Sequence, residues 1–307
     1  MPKLIVLSGA TGFLGSHVCR VLVEGGHTVE AFRRRSSDLS RLGAVAERVR
    51  WHWAPEEIEA PFRGPKTPDA VIHCAALYGR RGESPAELLE ANTLLPVRLY
   101  QQAAGRGVPV FLNTDTILDP RLNLYALSKH HAAQWLRMAA GPTRVLNLKV
   151  QHFYGPGDDP TKFITGLVLQ CLANVPEIRL TDGRQRRDFV YVSDVVSAML
   201  ALLEAEAGQA GARGGFADYE IGSGDPVEVR ELVELLHKLT GSRSRLLFGA
   251  LPYRPGEPML TCADTAALRA LGWRPLVPLP EGLTRTIAAE KSTRTPKSAP
   301  RPSPLTQ

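Results

Sequence analysis

The fold of this chain is decided by the stretch Leu4-Ile5-Val6-Leu7-Ser8-Gly9-Ala10-Thr11-Gly12-Phe13-Leu14-Gly15. An aliphatic run at 4–7 meets three glycines spaced by three, and a segment of helical period follows over Phe13–Glu24. A strand that enters a helix through such a turn lets a pyrophosphate approach the backbone, and the helix N-terminus adds amide donors and a partial positive charge. The stretch therefore predicts a nucleotide-binding turn.

Strand-like and helix-like segments alternate from this turn onward. The strand-like runs are 4–7, 28–32, 70–74, 108–112 and Arg144–Val150. Because segments of helical period separate them, they predict an α/β fold with a doubly wound parallel sheet.

The character of the sequence changes near Gln151, where prolines and glycines become denser and the predicted helices, 193–204 and 227–239, become shorter. We predict that residues 1–150 form the dinucleotide-binding region with the catalytic residues, and that 151–290 form mainly a smaller C-terminal α/β region that binds substrate. Residues 291–307 are rich in Ser, Thr, Pro and Lys without a periodic apolar pattern, which predicts a disordered tail.

Composition excludes several classes of protein. The 307 residues are 44% hydrophobic and 22% charged, which is typical of a globular chain rather than a fibrous or disordered one. No stretch approaches the ~18 apolar residues of a membrane span. The four cysteines are scattered without a CxxC pair, so we predict reduced, buried thiols and a cytoplasmic location.

The basic charge belongs largely to the tail. The formal net charge is +6, but residues 291–307 carry four basic residues and no acidic one, which leaves +2 for the rest of the chain. We predict no nucleic-acid role, because only Arg33-Arg34-Arg35 comes close to a basic patch on the folded body.

Arg33-Arg34-Arg35 follows the second predicted strand, where the residue that contacts the adenosine ribose is expected. A carboxylate there would bind the 2′-hydroxyl of NAD, whereas arginine pairs with the 2′-phosphate of NADP. We therefore favour NADP(H), with NAD(H) possible. A solvated basic loop is the alternative interpretation.

A second signature lies in the predicted helix Leu124–Ala139. Its spacing of four places Tyr125 and Lys129 on one face, one turn apart. A nearby cation favours the phenolate, so we expect Lys129 to lower the pKa of Tyr125. Thr114, after the strand 108–112, is expected to hydrogen-bond the same substrate oxygen as the phenol.

Further motifs are spread along the chain: Val71-Ile72-His73-Cys74-Ala75-Ala76, Asn92, Tyr154-Gly155-Pro156-Gly157-Asp158, Arg187-Asp188-Phe189-Val190-Tyr191-Val192-Ser193-Asp194 and Arg254-Pro255-Gly256-Glu257. With the glycine turn and the Tyr125/Lys129 pair, they resemble the extended short-chain dehydrogenase/reductases, the NAD-dependent epimerase/dehydratase family that acts on nucleotide sugars. The likeness covers about residues 3–289. Runs such as Lys162-Phe163-Ile164 and Phe248-Gly249-Ala250 are most similar to 4-ketoreductases of the CDP-abequose synthase type.

The resemblance implies a Rossmann fold, a homodimer built on helices near 86–99 and 125–135, and reduction of a nucleotide-linked 4-keto-6-deoxyhexose by NADPH. It implies that Tyr125 donates the proton, that Lys129 holds the nicotinamide ribose, that Thr114 orients the carbonyl and that Asn92 supports the lysine through its helix backbone. The implied cofactor-binding residues are Gly9, Thr11, Gly12, Phe13, Leu14, Gly15, Arg33, Arg34, Ala75, Asn92, Tyr125 and Lys129. The implied substrate-binding residues are Asp115, His152, Lys162, Arg187 and Arg254, of which the two arginines match those that grip a diphosphate. No metal site is predicted.

Three departures from the family pattern bear on function. The chain reads Thr114-Asp115-Thr116 where dehydratases read Thr-Asp-Glu, and threonine cannot serve as their base. Only eleven residues separate Thr114 from Tyr125, which predicts a more open sugar pocket. The usual Gly-Asp after the third strand is replaced by Arg50-Trp51-His52-Trp53, whose tryptophans we interpret as packing residues.

Two alternatives to the reductase remain open. A redox-neutral 4-epimerase on bound NAD would use the same Thr114, Tyr125 and Lys129. A non-catalytic NADP-binding regulator on the same fold is the third reading, and the intact catalytic set argues against it. His152 stands where many relatives carry asparagine, and it is interpreted either as a substrate donor or as a packed neutral histidine.

Overall fold

The computed structural model describes residues 1–208 and 214–294 of the chain. The strands are β1 Leu4–Ser8, β2 Thr28–Arg33, β3 Arg50–Trp53, β4 Ala70–His73, β5 Val110–Thr116, β6 Arg144–Val150, β7 His152–Tyr154, β8 Glu177–Arg179, β9 Arg186–Arg187, β10 Phe189–Tyr191, β11 Phe216–Ile221, β12 Val227–Glu228, β13 Arg245–Leu247 and β14 Leu260–Thr261.

The helices are α1 Phe13–Glu24, α2 Pro85–Leu89, α3 Leu95–Arg106, α4 Leu124–Ala139, α5 Phe163–Ala173, α6 Val192–Gly208, α7 Val229–Thr240, α8 Ala266–Ala270 and α9 Leu279–Arg294. A π-helical turn, Glu90–Leu94, joins α2 to α3. The predicted bounds of α1, α4 and β6 are confirmed. Within the two described segments, no helix is both long and apolar enough to cross a membrane.

Seven parallel strands form the central sheet in the order β11-β6-β5-β4-β1-β2-β3. The chain moves outward from β1 in one direction through β2 and β3, and in the other direction through β4, β5 and β6. This is the doubly wound Rossmann order, so the predicted fold class is confirmed. The carboxyl ends of β1 and β4 lie side by side where the winding reverses, which is where ligands bind in such sheets.

Apolar side chains cover both faces of the sheet. Successive residues of a strand point to opposite faces, so Ile5 and Leu7 join one buried cluster while Val6 joins the other. Helices α1 and α6 supply the first cluster, and α3 and α4 supply the second. The two helical layers therefore fix which residues of each strand face which side of the sheet. The loops that follow the carboxyl ends of the strands are left to form a site.

One strand that follows residue 150, β11, belongs to the central sheet. Although its residues lie in the segment 151–290, β11 pairs with β6 from Phe216 opposite Val145 to Ile221 opposite Val150, and so completes the central sheet. The reason is that β6 carries apolar residues on both faces and needs a neighbour on each side. The rest of the C-terminal half forms three small sheets, β7 with β10, β8 with β13, and β9 with β12 and β14.

Three expectations are corrected. The last helix, α9, continues to Arg294, so residues 291–294 of the predicted tail are helical, and 295–307 lie outside the described residues. Cys262 is exposed and Cys74 is half-buried, so the cysteines are not all buried as predicted. The strand β5 runs on to Thr116 rather than ending at 112, because β6 pairs with it as far as Val150.

Candidate functional site

The glycine turn between β1 and α1 is built by close backbone contacts. Gly9 has φ +77°, and a Cβ placed there would lie 2.4 Å from the backbone nitrogen of Ala75, which follows β4. A Cβ on Gly15 would lie 2.0 Å from the carbonyl oxygen of Gly9. Side chains at these two positions would push β1, β4 and α1 apart, so the turn requires glycine.

Helix α1 begins at this turn with unsatisfied amide groups. Gly12 is its N-cap, no side chain within the described residues caps it, and its first turn has no acidic residue. Thr11 is half-buried, Leu14 is buried, and Phe13 stacks on Phe153 with ring centroids 5.6 Å apart. The free donors and the helix dipole make this end suited to a pyrophosphate.

The arginines predicted to contact the adenosine lie at the end of β2, on the same edge of the sheet as the glycine turn. Arg33 is half-buried and Arg34 is exposed. Arg33 lies in register with Trp53 of β3. The structure therefore brings the predicted phosphate-binding groups to the edge where the cofactor turn lies.

Tyr125 and Lys129 lie one turn apart on α4, as the spacing predicted. Asn123 caps the helix, its side chain accepting a hydrogen bond from the backbone N–H of Ala126 at 2.8 Å. Lys129 is 1% exposed, and its Nζ has no hydrogen-bond partner among the described residues. Burial lowers the pKa of Lys129, and the nearby Asp115 partly opposes this effect. A buried ammonium without a partner indicates a polar ligand at this position.

The expectation that Lys129 lowers the pKa of Tyr125 is wrong in this structure. Burial raises the pKa of Tyr125 well above its usual range, and the neighbouring Tyr78 and Asp115 raise it further. A side-chain hydrogen bond with Thr116 and the charge of Arg80 oppose these effects. The phenol is therefore protonated at neutral pH, which is the form that can donate a proton.

Thr114 and Thr116 differ in what their hydroxyl groups contact. The Thr114 hydroxyl donates a hydrogen bond to the carbonyl oxygen of His73, at the end of β4. The Thr116 hydroxyl is the one bonded to Tyr125. The two residues lie on the same face of β5, since they are two positions apart. The resemblance singled out Thr114 to orient the substrate carbonyl, and the interaction of Thr116 with the phenol was not predicted.

Asn92 lies in the π-helical turn and is fully buried. Its Oδ1 accepts from the Leu77 backbone N–H at 2.8 Å, and its Nδ2 donates to the Leu77 carbonyl at 2.8 Å and to the Ser128 hydroxyl at 3.0 Å. It therefore ties the segment after β4 to α4 next to Lys129. The support is through the Ser128 side chain, whereas the resemblance implied the helix backbone.

Asp115 is buried beside this site. Its Oδ2 accepts from Asn147 Nδ2 at 2.9 Å, and its Oδ1 accepts from the Thr116 backbone N–H at 2.7 Å. Burial raises the pKa of Asp115, while Lys129 and Asn147 act in the opposite direction. Asn147 also donates to Asp218 of β11 at 2.8 Å, so the carboxylate belongs to a polar network that joins three strands.

A cavity of about 930 Å³ opens between these strand ends and the C-terminal region. Six of the residues predicted to act line it together, and they are Asp115, Tyr125, His152, Lys162, Arg187 and Arg254. Thr114 and Lys129, both described residues, are not part of this lining and lie behind it. The volume is ample for a drug-sized or larger ligand.

His152 and Lys162 occupy the middle of the cavity. Burial lowers the pKa of His152 to about 4, and Arg187 lowers it further, so the imidazole is neutral. Its Nδ1 is buried without a partner among the described residues. Lys162 Nζ lies 3.0 Å from Asp158 Oδ1 and 4.2 Å from the centroid of the Phe153 ring. The charge of Lys162 is therefore already balanced by a buried carboxylate.

The two predicted diphosphate-binding arginines differ in their surroundings. Arg187 is buried and forms an ion pair with Glu257, while Arg254 is exposed at the cavity. Glu257 N–H donates to the Arg254 carbonyl at 3.0 Å, so one short turn links the three residues. The cavity lining thus contains both of these guanidinium groups and the Tyr125 phenol.

Four residues of the site were missed by sequence reasoning. Tyr78 lies with its ring 4.8 Å from that of Tyr125, Arg80 donates to the Thr161 carbonyl at 3.0 Å, and Thr116 and Glu257 act as described above. The Arg254-Pro255-Gly256-Glu257 motif contained the signal for Glu257. The other three carry no motif that distinguishes them from surface residues.

A nicotinamide dinucleotide fits the residues that are present. The glycines at 9 and 15 let β1, β4 and α1 pack closely at the turn, and α1 offers unsatisfied amides to a pyrophosphate there. The partnerless Lys129 ammonium suits ribose hydroxyls beside Tyr125. These groups line the edge of the sheet where the winding reverses.

The family model described as the NAD dependent epimerase/dehydratase family matches residues 5–222 of the chain. The chain belongs to this family. The match spans β1 to the end of β11, and so covers the whole central sheet. Members are enzymes that act on nucleotide sugars, which agrees with a cavity lined by Tyr125, Arg187 and Arg254.

Among relatives within the epimerase/dehydratase family, the chain is similar to CDP-abequose synthases of Salmonella muenchen and Salmonella typhimurium. It is 29% identical to each, covering 94% of this chain and 98% of the relative. It is 27% identical to a dTDP-4-dehydro-6-deoxy-D-allose reductase of Streptomyces bikiniensis, covering 92% of this chain and 95% of that protein.

Solved structures in the family have the same fold. A UDP-glucose 4-epimerase of Thermotoga maritima with UDP-glucose is 25% identical at a TM-score of 0.78, and covers 94% of this chain and 99% of that one. MoeE5 in complex with UDP-glucose and NAD is 28% identical at a TM-score of 0.79, and covers 95% of this chain and 99% of that one.

Proposed function

We propose that this protein uses NADPH to reduce the 4-keto group of a nucleotide-activated 6-deoxyhexose. The observation that carries the proposal is the half-buried Tyr125, whose protonated phenol lines a cavity of about 930 Å³ together with Arg187 and Arg254. Reduction of a ketone needs an acid that protonates the carbonyl oxygen as it gains charge. The similarity to CDP-abequose synthases and to a 4-dehydro-6-deoxy-sugar reductase supports the same reaction class.

The residues that would hold the cofactor are those of the glycine turn, Arg33 and Arg34 at the adenosine end, and Lys129 at the nicotinamide ribose. When bound, the reduced nicotinamide supplies a hydride to the carbonyl carbon. Tyr125 donates its proton to the carbonyl oxygen in the same step, and the Thr116 hydroxyl orients the phenol. We keep Thr114 as a candidate for orienting the carbonyl, although its hydroxyl hydrogen is donated to His73.

Arg187 and Arg254 are proposed to bind the diphosphate of the substrate. Guanidinium groups pair with phosphate oxygens through two parallel charge-assisted hydrogen bonds. Arg187 forms an ion pair with the Glu257 carboxylate, which a diphosphate would share or replace. His152, Asp115 and Lys162 would contact the sugar from the cavity wall, with His152 in its neutral form.

An epimerase on bound NAD is the second candidate. It is favoured by the likeness to a UDP-glucose 4-epimerase and to MoeE5 solved with NAD. An epimerase must first oxidise its sugar, which requires Tyr125 to act as a base. The arginines at the end of β2 favour NADPH over a permanently bound NAD, and so they disfavour this candidate. A dehydratase is disfavoured because Thr116 stands where such enzymes need a base.

The deciding experiment follows the absorbance of reduced nicotinamide with CDP- and dTDP-4-keto-6-deoxyglucose as substrates. Stoichiometric oxidation of NADPH is expected, with NADH a poorer donor. Tyr125→Phe is the matched control, since it removes only the phenolic oxygen. Interconversion of 4-epimers without net oxidation of NADPH, with NAD retained through purification, would refute the reductase and establish the epimerase.

We further propose that the protein is a homodimer. Large apolar side chains on α4 and on the segment before α3 are exposed, including Trp135 at 63% and Met138 at 85%. Exposed apolar residues grouped on neighbouring helices are typical of interfaces. The mass in solution measured by light scattering is expected to be twice that of the chain and to fall to one chain in Trp135→Lys.

A further inference from the structure

The end of β3 carries residues that the family pattern does not account for. Arg50-Trp51-His52-Trp53 replaces the usual Gly-Asp, and its tryptophans lie against the arginines of β2. The guanidinium carbon of Arg33 is 4.5 Å from the centroid of the Trp53 ring, and that of Arg35 is 5.1 Å from it. Trp53 therefore holds two cations against one indole. The expectation that both tryptophans only pack is incomplete.

Trp51 and Trp53 have different surroundings. Trp51 packs on the buried cluster below α1, and its Nε1 donates to the Ala46 carbonyl at 3.0 Å. Trp53 belongs to neither buried cluster. Its backbone N–H donates to the Glu57 carboxylate at 2.8 Å, and its carbonyl accepts from the Glu57 N–H at 2.7 Å. The backbone that carries this indole is thus fixed, while its ring faces the arginines.

The charge around Trp53 is unbalanced. Within residues 1–208 and 214–294, no ion pair involves Arg33, Arg34 or Arg35, whereas the nearby Arg50 pairs with Glu30 at 2.9 Å. The Nε of Arg33 is buried and has no hydrogen-bond partner in the same segments. A buried donor without a partner costs free energy, and that cost is offset when an anion accepts its hydrogen bond.

We propose that Trp53 is a specificity-determining positioning residue that holds Arg33 and Arg35 side by side as a binding site for the 2′-phosphate of the adenosine half of the cofactor. The proposal rests on the NADP(H) preference of the proposed function. Arg33 and Trp53 lie in register at the carboxyl ends of β2 and β3, on the edge that carries the glycine turn. Where the family pattern has Gly-Asp next to the adenine, this chain has the Trp53 indole, whose role is to hold the guanidinium groups of Arg33 and Arg35 rather than to contact the adenine.

The test measures binding of 2′,5′-ADP and of 5′-AMP by calorimetry, so that no sugar substrate or turnover is needed. Trp53→Leu removes the aromatic face and keeps an apolar side chain, while Trp53→Phe keeps a face. Trp135→Leu, a change at the exposed tryptophan of α4, is the control for loss of an indole, and light scattering establishes that its oligomeric state equals that of the unchanged protein. Circular dichroism melts establish that each variant is folded.

We expect Trp53→Leu to bind 2′,5′-ADP ~10-fold more weakly than the unchanged protein and to bind 5′-AMP equally well. Trp53→Phe and Trp135→Leu should keep the preference for the 2′-phosphate. An unchanged preference in Trp53→Leu, or an equal loss for both nucleotides, would overturn the proposal. If the unchanged protein does not prefer 2′,5′-ADP to 5′-AMP, the NADP(H) assignment fails together with the role of Trp53. The proposed reaction would still stand if the protein reduced the ketone with NADH.

Discussion

Gly15→Ala offers a direct test of the glycine turn, because Gly105→Ala is the same change in another helix. Alanine is more favourable than glycine inside a helix by about 1 kcal/mol, and this gain applies at both positions. A Cβ on Gly15 would lie 2.0 Å from the Gly9 carbonyl oxygen, whereas a Cβ on Gly105 has nothing within 4 Å. The two variants therefore differ only in what the added methyl group meets.

The contact at Gly15 involves backbone, so it cannot be relieved by a rotamer change. Helix α1 would have to move by about 1 Å before the Cβ reached even a tight contact of 3.0 Å. Overpacking of this kind costs about 1–3 kcal/mol or more, which cancels or exceeds the helix-propensity gain. A misplacement of about 1 Å in a site costs about 100-fold in rate, and we expect a loss of the same size in cofactor affinity when the binding turn moves this far.

Urea denaturation and calorimetric titration of NADP⁺ measure the two effects. Gly105→Ala should raise the free energy of unfolding by about 1 kcal/mol and leave affinity unchanged. Gly15→Ala should lower the free energy of unfolding by about 1–2 kcal/mol and weaken NADP⁺ binding by about 100-fold. If Gly15→Ala bound NADP⁺ as tightly as the unchanged protein, the assignment of the turn to the cofactor would be wrong.

Three other substitutions test the rest of the site. Tyr125→Phe should lower kcat by about 100- to 10,000-fold while NADPH binding, measured by fluorescence titration, stays unchanged; a loss under tenfold would contradict the proton-donor role. Asn92→Ala leaves the Leu77 N–H, the Leu77 carbonyl and the Ser128 hydroxyl without their partner, and should lower the free energy of unfolding by about 3 kcal/mol in urea. The pKa of His152 is 6.5 in the unfolded chain and about 4 in the folded protein. Between pH 6.5 and pH 4 the unfolded state therefore binds more protons than the folded state. Stability should therefore fall by up to about 3 kcal/mol as the pH drops from 6.5 to 4, and His152→Asn should flatten that part of the profile.

Elements whose signals are local were predictable. The bounds of α1 and α4 follow from a glycine turn and from the Asn123 cap, each adjacent to a segment of helical period. The parallel order of the first six strands follows from alternation of strands and helices, because the crossovers leave few other topologies. The Tyr125/Lys129 pair needed only the helix to be correct.

Features that depend on distant contacts were not predictable. Strand β5 extends to Thr116 because β6 pairs with it, and the pairing places Thr116, rather than Thr114, against the phenol. The pKa of Tyr125 is raised by burial and by Tyr78, which lies 47 positions earlier in the sequence. Glu257 meets Arg187 across 70 residues, a separation that no local pattern encodes.

The position of β11 at the end of the central sheet sets the order in which the chain can fold. Until residues 216–221 leave the ribosome, β6 presents an open row of backbone donors and acceptors along its whole length. The segment 1–150 thus lacks the neighbour of β6, and an uncovered strand edge of this kind is a template for pairing with another chain. The sheet is completed only when residues from both sides of position 150 are present.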